Sequence, residues 1–197
     1  MTVPENVDLA HLPVVSPKML AHIVLRTSRF DEVVRWYKNT LGAHASFENG
    51  SLAFLTYDSE HHRIAVLNVP GLNPQPDGTA GVHHVAFTYA TLYDLLSTFT
   101  RLKSGGDVPI LSINHGPTTS LYYSDPDGNQ VELQVDNFDT EEDAKTFFAS
   151  GEFATNPVGV DFDPEELFKR LLAGETEAEL KARPVIGARD PSSVPLR

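Results

Sequence analysis

The chain has 197 residues and carries 27 acidic against 15 basic side chains, a formal net charge of −12. That balance argues against nucleic acid and anionic membrane surfaces as partners, since both select basic patches. It contains no cysteine, so a disulfide framework and a thiolate-held metal are excluded, and any metal must be held by histidine and carboxylate.

In chain order, the N-terminus has neither a basic start nor an apolar run, and no stretch is long enough to span a bilayer, so a cytoplasmic protein is expected. Residues 1–17 read as an irregular arm. MLAHIVLRT (19–27) predicts a strand with Leu20, His22, Val24 and Arg26 on one face. RFDEVVRWYKNTLG (29–42) predicts an amphipathic helix, with Phe30, Val33, Val34, Tyr37 and Leu41 at helical spacing, Thr27 or Ser28 as cap and Gly42 as stop. Strands are expected over 43–48, 51–57 and 61–69, the first two joined by the hairpin pair Asn49-Gly50 and the third carrying His62, Ile64 and Val66 on one face. PGLNPQPDGTAG (70–81) is a loop.

The order then repeats, with a strand at 82–89, a helix at 91–104 and strands at 108–114, 119–124 and 129–136. Setting His22 on His84 brings Phe30 onto Leu92, Val33-Val34 onto Leu95-Leu96 and Tyr37 onto Phe99. This is an internal βαβββ repeat of about sixty residues, the pattern of two modules sharing one core. Beyond residue 137 the expectation is an acidic-ended helix over 139–151, a second helix over 163–174 and a frayed end.

The stretch TSLYYSDPDGNQVELQVDN (119–137) concentrates the chemistry. Asp125-Pro126-Asp127-Gly128-Asn129 is a tight turn, since Pro presets one φ, Gly permits a positive one, and Asp and Asn bond back to the backbone. It faintly imitates a calcium loop, but its Gly is misplaced and its Glu comes too early. After the turn Val131, Leu133 and Val135 share one face; Gln130, Glu132 and Gln134 share the other. His22, His84 and Glu132 all fall on the non-core face by strand parity, two histidines and one carboxylate. Such a set leaves three adjacent positions open on a non-haem Fe(II). A lone histidine in a strand is more often a satisfied polar residue, but equivalent positions in a repeat weigh against that here.

These features resemble the vicinal oxygen chelate superfamily and, within it, one-domain type I extradiol catechol dioxygenases. The resemblance is carried by AHIVLRT, SEHHRIAVLN, GVHHVAF and NHGPTTSLYYSDPDGNQVELQ, and covers about residues 18–137. It implies an α+β fold, tandem βαβββ modules (18–70 and 80–137) forming a half-open, curved mixed sheet around a metal site, with a helical C-terminal tail (138–197). It implies His22, His84 and Glu132 as metal ligands, His62 as the acid–base histidine, and His115 and Tyr122 as groups that hydrogen-bond the substrate oxygen. His61 and His83 are then the outward members of their pairs. The spacing from His115 to Glu132 is slightly shorter than in the larger enzymes, and their extra N-terminal pair of modules has no counterpart here.

The reaction implied is insertion of both atoms of O2 beside the hydroxyls of a small aromatic diol, at Fe(II), with Mn(II) as the second candidate ion. His62 would move the proton, because an unperturbed histidine titrates near neutrality. A homo-oligomer is expected. Two alternatives stay open, a metal-dependent isomerase or lyase of glyoxalase type and a small-molecule-binding resistance protein. The first has no use for His62 and Tyr122 together, and the second none for the full ligand set.

Overall fold

A computed structural model describes residues 11–73, 75–76, 78–190, 192 and 194. The first ten residues of the expected arm and half of the frayed end therefore lie outside the described residues. The elements run β1 (Ile23–Thr27), α1 (Phe30–Leu41), β2 (His44–Glu48), β3 (Leu52–Thr56), β4 (Ile64–Asn68), then β5 (His84–Thr88), α2 (Leu92–Ser104), β6 (Leu111–Asn114), β7 (Thr118–Ser124) and β8 (Gln130–Asp136). The tail follows as α3 (Glu141–Ala149), α4 (Gly151–Thr155), β9 (Val160–Asp161), α5 (Pro164–Leu172) and α6 (Glu177–Lys181).

Each repeat forms its own mixed sheet. The first has the order β1-β4-β3-β2 and the second β5-β8-β7-β6-β9, with β1 parallel to β4 and β5 parallel to β8. A parallel pair needs a crossover connection, and in each repeat the first helix and two strands supply it. Because the first four strands follow the same order in both repeats, β1 and β5 are edge strands in corresponding places. The fold is thus mixed α+β with two mixed sheets.

The helices bury the predicted stripe. Phe30, Val33, Val34 and Tyr37 of α1 and Leu92, Leu95, Leu96 and Phe99 of α2 are buried in one core with Leu55, Ile64, Leu121, Val131 and Leu133. Each large apolar side chain so buried contributes about 1.5–3 kcal/mol. Gly42 ends α1 in the left-handed region at φ +61°, as a stop glycine should. The expected side-chain cap on α1 is absent. Arg29 holds the N-cap position without a side-chain bond to the helix's backbone amides, its guanidinium pairing instead with the Glu32 carboxylate, and Thr27 Oγ1 accepts from the Arg29 amide at 2.8 Å.

Strand β1 is shorter than its periodicity. It pairs only with β4, which begins at Ile64, and the register Ile23↔Ile64 leaves residues 19–22 without a ladder. The Arg63 guanidinium occupies that space, donating to the carbonyls of Leu20 (2.9 Å) and Ala21 (3.1 Å).

The two repeats are tied across their seam at the 125–129 turn. Asp125 Oδ1 accepts from the amides of Asp127 (3.0 Å) and Asn129 (2.8 Å), and Gly128 takes φ +86°. The other carboxylate oxygen accepts from the Tyr37 hydroxyl of α1 at 3.2 Å and from Asn129 Nδ2 at 2.8 Å. Arg29 donates to the Pro126 carbonyl, and Arg101 Nη1 of α2 to Asn39 Oδ1 of α1 at 2.8 Å.

The tail is docked on the second repeat. Leu167 of α5 and Leu180 of α6 join the common core, and β9 extends the second sheet beyond β6. Phe138, Phe147, Phe148 and Phe153 form an aromatic cluster of edge-on and tilted rings, although half of Phe148 remains exposed. The single helix predicted over 139–151 is broken at Ser150, whose amide and hydroxyl both bond the Phe147 carbonyl.

Candidate metal and diol site

Strand pairing builds the site from the second repeat first. The registers Ala86↔Glu132 and Tyr122↔Glu132 put Glu132 between β5 and β7, on the face away from α2. Its neighbours Val131, Leu133 and Val135 face the core, so the expected alternation holds. The polar row is covered, however: Gln130 is 6% exposed and Glu132 4%. A buried carboxylate needs a compensating partner. Here the ion-pair partner is a histidine, with His84 Nε2 3.0 Å from Glu132 Oε2, and not a lysine or arginine.

Tyr122 completes this wall. Its ring lies edge-on to His84 with centroids 5.3 Å apart, and its hydroxyl is 3.0 Å from His115 Nε2. Burial and the Glu132 charge beside it lift the Tyr122 hydroxyl well above the usual phenol range, so it stays protonated at any working pH. His115 Nδ1 lies 2.5 Å from the Val158 carbonyl in the tail. A carbonyl oxygen only accepts, so Nδ1 carries the proton and Nε2 of the neutral ring is left as an acceptor. Burial holds His115 below the ordinary histidine value, which favours that neutral ring.

The first repeat brings His22 and His62 together, with ring centroids 4.3 Å apart. His62 is 8% exposed and stacks on Phe54 at 4.3 Å and 15°. Burial, then the charges of His22 and His61, hold its imidazole below the ordinary value. Its placement differs from the sequence expectation. Parity would set His62 on one face with Ile64 and Val66, but those two are fully buried in the helix-side core. Residues 57–63 form a turn before β4, so strand alternation does not reach back to position 62. The ring therefore lies on the opposite face, with Phe54, whose register partner is Ala65. His22 likewise precedes its strand and is exposed.

His61 and His83 point outward as expected, each with Nδ1 against that of its inner neighbour, at 2.5 and 2.7 Å. Among the described residues no three His, Asp or Glu side chains are gathered closely enough to hold a metal ion. The predicted residues thus form two groups, His84, Glu132, Tyr122 and His115 in one and His22 with His62 in the other. The donor chemistry of the first group fits a divalent cation, because an imidazole nitrogen and a buried carboxylate oxygen are aimed at each other. Sequence reasoning missed Phe54, Val158 and Arg183. Only the alternation in LAFLT could have signalled Phe54, and nothing in the sequence marks the carbonyl of Val158.

Known proteins resemble the chain in sequence and in fold. The profile of the Glyoxalase/Bleomycin resistance protein/Dioxygenase superfamily matches residues 19–133. A Rhodococcus globerulus protein named biphenyl-2,3-diol 1,2-dioxygenase 2 is 51% identical over 160 residues, covering 81% of this chain and 84% of its own. Biphenyl-2,3-diol 1,2-dioxygenase 3 of the same organism is 44% identical over 171 residues, covering 86% and 90%. The crystal structure of a glyoxylase/bleomycin resistance protein/dioxygenase domain from Frankia sp. EAN1pec shares the fold, with TM-score 0.52 at 16% identity over 66% of this chain and 99% of its own. On the matched profile, these two relatives and the paired sheets, the chain belongs to the Glyoxalase/Bleomycin resistance protein/Dioxygenase superfamily.

Proposed function

We propose that this chain is a ring-cleaving extradiol dioxygenase, inserting both atoms of O2 into a catechol-type aromatic diol at an Fe(II) centre held by His22, His84 and Glu132. The observation that carries the reading is the buried Glu132 carboxylate, compensated by His84 and flanked by the Tyr122–His115 pair. The names of the two Rhodococcus relatives add that a diol on an aromatic ring is the substrate class. When bound, the ion supplies the redox chemistry that lets O2 react with the diol.

The chain's own residues do the rest. Tyr122 keeps its proton, shared between His115 Nε2 and the Glu132 carboxylate, and its free lone pairs accept from a diol hydroxyl. That contact orients the ring and fixes which carbon meets oxygen. His62 is neutral near pH 7 because burial and its histidine neighbours disfavour the charged form, so it can take the diol proton and return it as the ring opens. The Phe54 stack holds the imidazole plane and keeps water off one side of it.

Metal analysis of anaerobically purified protein tests the reading, followed by a screen of aromatic diols for the absorbance of ring-opened products. His22→Ala, His84→Ala and Glu132→Ala should each lose iron and turnover together while keeping the fold. Stoichiometric iron in any one of them would remove that residue from the ligand set.

A further inference from the structure

The tail contains a cation that the reaction does not use. Arg183 lies in the segment after α6 and is half-buried. Its Nη1 donates to the carbonyls of His115 (3.1 Å) and Asn156 (2.8 Å), and its Nη2 to that of Glu152 (3.2 Å). The guanidinium also lies over the Phe147 ring, 5.0 Å from its centroid. Three carbonyls from three places in the chain thus meet one planar fork, a geometry that a lysine point charge cannot match. Its Nε is buried with no partner, a cost that the three terminal bonds offset.

These bonds converge on one turn. Asn156 Oδ1 accepts from the amides of Val158 (3.2 Å) and Gly159 (2.8 Å), and Asn156 Nδ2 returns to the Gly159 carbonyl at 3.0 Å. Arg183 therefore fixes both ends of a short path, the His115 main chain at one end and the turn presenting the Val158 carbonyl at the other. That carbonyl sets the His115 tautomer, and the tautomer decides that Nε2 accepts from Tyr122.

We infer that Arg183 is a positioning residue, which through the Val158 carbonyl holds His115 as its Nδ1–H tautomer and so aims Tyr122 at the diol. The inference rests on the ring-cleaving reading for its link to the diol, and its tautomer part stands independently of that reading.

The test compares wild type with Arg183→Met, Arg183→Lys and Arg170→Met. Arg170→Met serves as the control because its partner Glu175 lies in the turn after α5 and the pair does not touch His115. Imidazole nitrogen shifts are read by long-range 1H–15N spectra of the zinc-substituted protein, and kcat/KM for the diol is read on the iron enzyme. Wild type should show Nδ1–H at His115, and Arg183→Met a mixture of tautomers, with metal content unchanged. The kcat/KM of Arg183→Met should fall about 10- to 100-fold, the usual loss for a misplaced contact. Arg183→Lys should lie between the two, and Arg170→Met should alter neither readout. In a His115→Ala background, Arg183→Met should cost nothing further, whereas a merely structural role would add its full loss. A single fixed tautomer in Arg183→Met, or full additivity with His115→Ala, overturns the inference. A wild type that turns over no aromatic diol would sink the ring-cleaving reading, while the tautomer measurement would still decide the role of Arg183.

Discussion

Gly116, one residue after His115, gives the most direct test of how the tail meets the site. It adopts φ +103°, a conformation that L side chains rarely take, and a Cβ placed there would overlap the Phe147 ring, coming within 2.5 Å of Cε1. Two costs follow for Gly116→Ala. The backbone term is about 1–3 kcal/mol for a residue held in a sparsely populated region. The overpacking term is another ~1–3 kcal/mol. Phe147 cannot easily retreat, because Phe138 and Phe153 lie 5.6 and 6.0 Å from it and the Arg183 guanidinium covers it. The sum is roughly 2–6 kcal/mol, against a total stability of about 5–15 kcal/mol. Even the low end should move the melting midpoint down by roughly 4–8 °C for a chain of this size. Urea and thermal unfolding of Gly116→Ala, alone and in a Phe147→Ala background, separate the terms. Removing the ring should recover the overpacking part and leave the backbone part. An unchanged midpoint would refute the reasoning, and an undiminished loss in the Phe147→Ala background would refute the ring contact.

His62→Asn should keep its iron and bind diol nearly as well, yet turn over some 10²–10⁴-fold more slowly; near-normal turnover would dismiss its acid–base role, and loss of iron would make it a ligand. Removing residues 138–197 exposes the α2 face covered by Leu167 and Leu180, so the shortened chain should be less stable in urea and less active, and equal stability and activity would contradict the docking. At the seam, burial raises the Asp125 carboxyl above the ordinary aspartate range, with the Asn129 donors pulling it partly back. A folded value above the unfolded one means that this group's contribution is fully present below the unfolded pKa and is lost as pH rises through the folded value. Asp125→Asn should flatten that part of a urea-midpoint profile taken across the carboxylate range. A wild-type profile that this substitution leaves unchanged in shape would show that Asp125 is not its source.

Much of this protein is decided locally and so can be read from the residues. Helical spacing in Phe30–Leu41 and Leu92–Ser104, period-2 alternation at Gln130–Asp136, and the turn chemistry at Asp125–Asn129 and Asn49-Gly50 each depend on neighbours within one turn or one strand. The internal repeat carries one further step, since equal patterns impose equal pairings, and it places His84 and Glu132 on one face of one sheet. Pairing across the sheet is where local information stops. The lengths of β1 and β4 were set by each other and by Arg63 filling the space before them, which is why parity assigned His62 to the wrong face. Glu132 is covered by Tyr122 across the hairpin ladder, but the hold on His115 came from chain far away in sequence, Val158 and Arg183 in the tail. A main-chain carbonyl has no residue-type signature, so only the folded tail could reveal which oxygen would meet His115.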